Sequence, residues 1–386
     1  MSRAVAEVDL SAIAHNLKLI KERTNSQVLS VVKADAYGHG LVPVAKAAVS
    51  AGADWLGTAL LEEGLALRAA GVKAPIICWL TPLGEEFKLA IKHDIDLSVS
   101  SIELLAEIIE AGRAANIVPR IHLEVDTGMT RGGVRNNWSE FVAEIAKAIK
   151  DNGVEVVGIW SHFARADEPE QPFNQQQLDT FHKRLAVLIS QGVNPQFVHI
   201  ANSAAALTNQ AAYKNIVRWG IGLYGLSPDV KSMGDSQKLN LKPAMKLKAK
   251  LHLVKDVEAG AQVGYGGTAT VNSDTKIGVV TMGYADGIPR NTNNSAGVFV
   301  DGKRAPLLGR VSMDQFVVDL GKDCNAKTGD EVVIFGDGSA GEYTVDEWAS
   351  AAGTINYEIV TRIGPRVPRT VSYTHLRAHE TESYIV

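Results

Sequence analysis

The sequence predicts an α/β fold, an N-terminal (β/α)8 TIM-type barrel followed by an antiparallel β-rich C-terminal domain. Three observations carry this. Between residues 28 and 220 a short apolar run, a polar corner and a helix-period stretch recur as one unit. Continuous apolar strands alternating with amphipathic helices make a parallel sheet covered on its outer face. Eight such units in roughly 200 residues reach the lower limit for a closed barrel. From about residue 240 the pattern changes to strict alternation, the mark of a half-buried strand. An open doubly wound sheet is the runner-up, but no Gly-x-Gly-x-x-Gly follows the first strand.

The expected barrel strands are Val28–Ala34, Trp55–Ala59, Pro75–Leu80, Asp96–Ser100, Arg120–Asp126, Glu155–Ser161, Phe197–Ala201 and Ile216–Trp219. Ser100 followed by Glu103 reads as a capping box that opens an Ile/Leu-rich helix. Trp138, Phe141, Ile145 and Ile149 recur at steps of three and four and give the next helix one apolar face. Residues 227–237, rich in Ser, Gly, Asp and Lys, mark the boundary between a barrel of residues 1–235 and a β domain of residues 236–371. In that domain Lys246–Leu253 alternates polar and apolar, and Asp301-Gly302 makes a hairpin turn whose two positions need positive φ. Val332–Phe335 is a further strand, and Val345–Ala352 carries almost the whole helical signal of the domain. Residues 372–386 form an aperiodic polar string after the Pro-containing 364–369 and read as a non-native tail.

Composition narrows the class. Of 386 residues, 46% are hydrophobic and 21% charged, so disorder and fibrous structure are excluded. Lys+Arg 39 against Asp+Glu 43 leaves a net charge of −4, with no basic excess to attract nucleic acid or a membrane surface. Cys78 and Cys324 stand far apart, without metal-ligand spacing, and fit a reducing cytoplasm. No apolar run approaches the ~18 residues of a membrane span.

Barrel enzymes keep their chemistry at the C-terminal ends of the strands. Lys33 ends the first strand, Glu124 and Asp126 the fifth, His162 the sixth, His199, Asn202 and Ser203 the seventh, and Arg218 the eighth. Each alone has an ordinary explanation, since a lysine beside a strand is usually solvated and a lone histidine usually structural. Their joint placement on one rim points to a site. An ammonium after Val31 and Val32 is desolvated, which lowers its pKa and suits Schiff-base chemistry. Gly220, Gly222 and Ser203 fall where this fold binds phosphate. A reactive lysine with a phosphate cradle suggests pyridoxal 5'-phosphate.

The stretch KADAYGHG at 33–40 resembles the cofactor-attachment motif of bacterial alanine racemases. The likeness spans about residues 4–369. It continues through DTGMTR (126–131), SHFA (161–164), RWGIGLYG (218–225), GYG (264–266), GYADG (283–287), GRVSMDQ (309–315) and TINYE (354–358). The resemblance implies a cytoplasmic isomerase that interconverts L- and D-alanine with pyridoxal phosphate and supplies D-alanine for peptidoglycan. It also implies a homodimer whose active sites are each completed by the partner's C-terminal domain. Lys33 would hold the cofactor and act as one base, with Tyr265 of the neighbouring subunit as the other. Two faces need two bases, because a single base returning its proton gives retention. Tyr37, Ser203, Gly220, Ile221 and Tyr357 match the phosphate-binding set, with Asn202 in support. Arg218 matches the arginine at the ring nitrogen, where a guanidinium that keeps its proton weakens the electron sink. His162 matches the residue behind the ring, Arg131 and Met313 the substrate contacts, and Tyr284 and Asp314 the substrate entrance. One position departs: Glu124 stands where many members carry a carbamylated lysine, and it would orient Arg131 by a charge-assisted bond. A same-fold decarboxylase of basic amino acids is the nearest rival, but Cys324 lies in a polar loop without the context that reaction needs. A non-enzymatic pyridoxal phosphate carrier is the other, and it would have no use for Tyr265.

Overall fold

In the computed structural model, which describes residues 2–373, the two expected architectures are present. The barrel strands are β2 (Gln27–Val31), β3 (Trp55–Thr58), β4 (Ile76–Cys78), β5 (Ile95–Val99), β6 (Arg120–Glu124), β7 (Glu155–Trp160), β8 (Phe197–His199) and β9 (Ile216–Trp219); they follow β1 (Ala4–Asp9) in the chain. All neighbouring barrel pairs are parallel, from β8 through β7 to β2 and on to β9. The ring closes where the Arg218 N–H donates to the Ala201 carbonyl at 3.0 Å. Helices between the strands cover the outside. Helix Trp138–Lys150 buries Trp138, Phe141, Val142, Ile145 and Ala148. Ile149 is exposed instead, at the edge of that face. The cap of helix Ile102–Ala115 is Ser101, whose hydroxyl accepts from the Leu104 N–H at 3.1 Å, one residue later than the capping-box reading placed it.

The C-terminal sheet is mainly antiparallel and is organised by β10 (Met245–Val257), whose first half alternates buried and half-buried side chains as the sequence suggests. The hairpin of Gly297–Val300 and Lys303–Pro306 turns through Asp301 and Gly302 at φ 50° and 70°. Three features correct the sequence reading. β1 does not belong to the barrel: it pairs antiparallel with β10 and parallel with strand Arg369–Ser372, burying Ala4, Ala6 and Val8 in the second sheet. Ser372 is therefore part of that sheet rather than of a tail, while residues 374–386 lie outside the described residues. A second helix, Asn356–Thr361, follows Val345–Ala352, too short for its periodicity to stand out. Between the domains, residues 227–237 contain the short helix Val230–Met233, capped by the Asp229 carboxylate.

Candidate active site

Above the C-terminal ends of the barrel strands lies a cavity of about 380 Å³. Ten residues picked from the sequence line it: Lys33, Tyr37, Arg131, His162, Asn202, Ser203, Arg218, Gly220, Ile221 and Tyr357. Trp79, Trp160 and Thr361 share the wall and were not anticipated. Both tryptophans lie at the C-terminal ends of strands already recognised, which is the signal that could have found them.

Lys33 enters the cavity because the backbone changes hand. β2 stops at Val31, and Ala34, Asp35, Ala36 and Tyr37 all take φ between 52° and 54°. This left-handed turn cannot extend the strand, so the expected run to Ala34 ends early. Each such residue costs roughly 1–2 kcal/mol, which the surrounding structure must offset. The turn is held from the C-terminal domain. The Gly38 carbonyl accepts from Arg369 Nε at 2.9 Å, and a Cβ at Gly38 would lie 2.2 Å from the Val360 carbonyl oxygen. The Leu41 N–H donates to Asp35 Oδ1 at 2.7 Å. Tyr37, at the end of the turn, stacks on Tyr224 at 4.8 Å, and the Tyr224 hydroxyl donates to the Val31 carbonyl at 2.8 Å. Burial pushes both phenols well above the ordinary tyrosine range.

Opposite Lys33, the Ser203 hydroxyl accepts from the Gly220 N–H at 2.9 Å. Asn202 caps helix Ser203–Thr208 through Oδ1 on the Ala205 N–H. A Cβ at Gly220 would sit 2.9 Å from the Tyr37 hydroxyl, so glycine leaves an open, donor-lined space between Tyr37 and Ser203.

Arg218, only 4% exposed, reaches the cavity wall from β9. It donates to the Ser161 carbonyl at 2.7 Å, lies 3.1 Å from His162 Nδ1 and sits 5.1 Å from the Trp160 ring centroid. Burial pulls its guanidinium down to about 9, and Glu124 opposes that pull. His199, expected on the rim, is buried in the barrel interior. There Arg218 donates to His199 Nδ1 at 3.2 Å. A guanidinium only donates, so Nδ1 accepts and the His199 proton sits on Nε2. That proton points to His122 Nδ1 at 3.1 Å, and His122 Nε2 faces Asp96 Oδ2 at 3.3 Å. Arg120 closes the chain with a bidentate contact to Asp96. His162 is held neutral, pushed far below the usual imidazole range by burial and then by Arg218, Arg131 and Lys33. Burial and the Arg131 cation lower the Lys33 ammonium.

The bond expected between Glu124 and Arg131 is not there. Among the described residues no ion pair joins them within 4.0 Å, although both border one small void of about 10 Å³. Gly132 lets the carboxylate lie against the backbone, with a Cβ there only 2.7 Å from Oε1. Burial therefore dominates and raises the Glu124 carboxyl to about 7, with Arg131 and Arg218 only partly opposing it. Asp126 instead takes the structural part, accepting from the Gly128 and Thr130 N–H groups and pairing with Arg135.

Besides Glu124, four predicted residues, all from the C-terminal domain, stay apart from the cavity. Tyr265, Tyr284 and Met313 are 70%, 41% and 53% exposed, and none lines it. The Tyr284 and Ala285 N–H groups donate to the Ser312 and Met313 carbonyls at 3.0 Å, which fixes Tyr284 beside Met313. Asp314 pairs with Arg366 at 2.6 Å.

Two family models match the chain, the N-terminal domain of alanine racemase over residues 8–228 and the C-terminal domain over residues 244–371. The chain belongs to the alanine racemase family. It is accordingly an isomerase, an amino-acid racemase. Similar members include the alanine racemase of Thermobifida fusca, 48% identical over 95% of this chain and 98% of that protein, and that of Salinispora tropica, 46% identical over 96% and 98%. The crystal structure of alanine racemase from D-cycloserine-producing Streptomyces lavendulae superposes with a TM-score of 0.95 at 48% identity, covering 98% of this chain and all of that one. Likeness at full length in both chains extends to the barrel and the β domain.

Proposed function

We propose that this chain interconverts L- and D-alanine in the cytoplasm with pyridoxal 5'-phosphate as cofactor, the D-isomer serving peptidoglycan. The observation that supports it most is the pairing, across one cavity, of a half-buried lysine with a glycine-and-serine cradle. The residues fit the cofactor. Lys33 brings a desolvated amine to one end, and the space left at Gly220 lies between the Tyr37 and Ser203 hydroxyls at the other. Tyr37, Ser203, Gly220, Ile221 and Tyr357 hold the phosphate, with Asn202 capping the helix beneath. When bound, the cofactor supplies an electron sink that makes the substrate α-proton acidic.

Arg218 would face the ring nitrogen. Its position against the neutral His162 and the His199–His122–Asp96 chain fixes its orientation from both sides. A guanidinium keeps its proton there and restrains the sink, which favours return of the proton over other outcomes. Arg131 faces the substrate carboxylate, and Glu124 tunes the field around Arg131 through space rather than by a bond. Lys33 Nζ takes or gives the α-proton on one face. The other face is served by Tyr265 from a second copy of this chain, with Met313, Tyr284 and Asp314 shaping the entrance. Their exposure and their distance from the chain's own cavity support a head-to-tail dimer. Replacement of Lys33 by Ala tests the core of this reading. Racemisation followed by chiral chromatography should fall by at least ~10³-fold, the order that removal of a positioned acid–base group produces. Retention of the original rate would remove Lys33 from the chemistry.

A further inference from the structure

The turn that follows Lys33 is anchored by a carboxylate that none of these roles includes. Glu63 is the third residue of helix Leu61–Ala69. Its Oε1 accepts from the Ala34 N–H at 2.5 Å, and its Oε2 from the Ala59 and Leu60 N–H groups at 2.9 and 3.1 Å. Ala34 directly follows Lys33 and opens the left-handed turn, whereas Ala59 and Leu60 follow β3. One side chain therefore ties the strained loop after the first barrel strand to the loop after the second. A carboxylate suits the task because it only accepts and has room for several N–H donors, and bonds to a charged acceptor are the strong ones.

We propose that Glu63 is a positioning residue for Lys33, anchoring the first residue of the left-handed turn and setting the negative charge that faces the amine. The proposal rests on Lys33 being the residue that attaches the cofactor. Three charged groups face Lys33: Glu63 from its helix, Arg131 from the loop after β6 and Arg218 from β9. Burial and the two arginines lower the ammonium, and Glu63 opposes them. The other titratable groups on the cavity wall, His162, Tyr37 and Tyr357, are all held neutral by burial. Loss of the Glu63 charge leaves the lowering unopposed, so the amine should lose its proton at lower pH.

The test uses the full chain purified without cofactor. Pyridoxal phosphate is added across a pH series, its covalent attachment is trapped with borohydride, and the labelled lysine is located by peptide mass. Glu63→Gln keeps the shape but turns a donor toward a backbone N–H. It should move the midpoint of labelling at Lys33 down by roughly one pH unit and weaken pyridoxal phosphate binding roughly tenfold. Glu63→Asp keeps the charge with a shorter reach, so it should restore most of the midpoint but not the affinity. Labelling of Lys33 in Glu63→Gln with unaltered midpoint and affinity would overturn the proposal, and so would a lower Tm as the sole change. Should Glu63→Gln fail to fold, Glu63→Asp decides alone, since unaltered affinity there also overturns it. No label at Lys33 in the unaltered chain would instead remove the cofactor reading beneath it.

Discussion

The barrel rim and the exposed face of the C-terminal domain contrast sharply. On the rim, Arg218 is buried against His162, Lys33 and His162 are half-buried, and burial with the neighbouring cations pulls down the affinity of all three for protons. On the C-terminal face, Tyr265, Tyr284 and Met313 are exposed, and the backbone around each is fixed by main-chain hydrogen bonds. On the proposed reading, a residue that serves chemistry within its own chain is enclosed by that chain. One that serves a neighbour is held by the backbone and left bare. In the proposed dimer, the difference would separate what one copy accomplishes alone from what it lends.

Complementation is the most severe test of that division. Chains carrying Lys33→Ala and chains carrying Tyr265→Ala should each be inactive. Unfolded together and refolded as a mixture, they should recover about a quarter of full activity, because half the dimers are mixed and each holds one intact site. No recovery would place Tyr265 in service of its own chain.

A smaller effect concerns burial on the rim. The folded Glu124 carboxyl titrates at about 7 against an ordinary value of 4.5. A raised carboxyl favours the folded state below its unfolded pKa, and that contribution is lost as pH rises through about 7. Glu124→Gln cannot ionise, so it should match the original near pH 4 and exceed it above pH 7. The gain is about 3 kcal/mol at most. Thermal unfolding at the two pH values measures it. A bonded Glu124–Arg131 pair would give the opposite sign, with the variant less stable at high pH.

The smallest effect should come from the far hairpin. Gly302 takes φ +70° in open space, so Gly302→Ala adds backbone strain without a clash. A loss of about 1 kcal/mol is expected, read as a lower Tm with kcat unchanged. A change in kcat would mean that this hairpin communicates with the cavity.

The parts of the fold legible in the sequence were those decided locally. Parallel strands buried on both sides read as apolar runs, which is why all eight barrel strands were found within a few residues. The ends of those strands were less clear. Nothing between Val31 and Tyr37 announces a left-handed turn, since Arg369 and the Val360 carbonyl, from the other end of the chain, hold it there. β1 was missed for the same reason, its partners being the remote β10 and Arg369–Ser372. In the site, residue types at strand ends together with the family resemblance pointed to ten lining residues, whereas distances were out of reach. Whether Glu124 binds Arg131 or merely lies near it depends on fractions of an ångström around Gly132. Glu63 escaped notice because its partners are three backbone N–H groups, which every sequence contains.

The seating of β1 also bears on how the molecule is made. β1 leaves the ribosome before the barrel strands, yet its Ala4 faces Ala249 on one side, and its Ala6 faces Arg369 on the other. The barrel can close on segments already synthesised, while the opening strand waits, its apolar side uncovered, until the last sheet strand emerges. N-terminal domains generally fold first during synthesis. Here a segment made before the barrel is placed after it, and a chain cut short before residue 369 would leave β1 without its parallel partner.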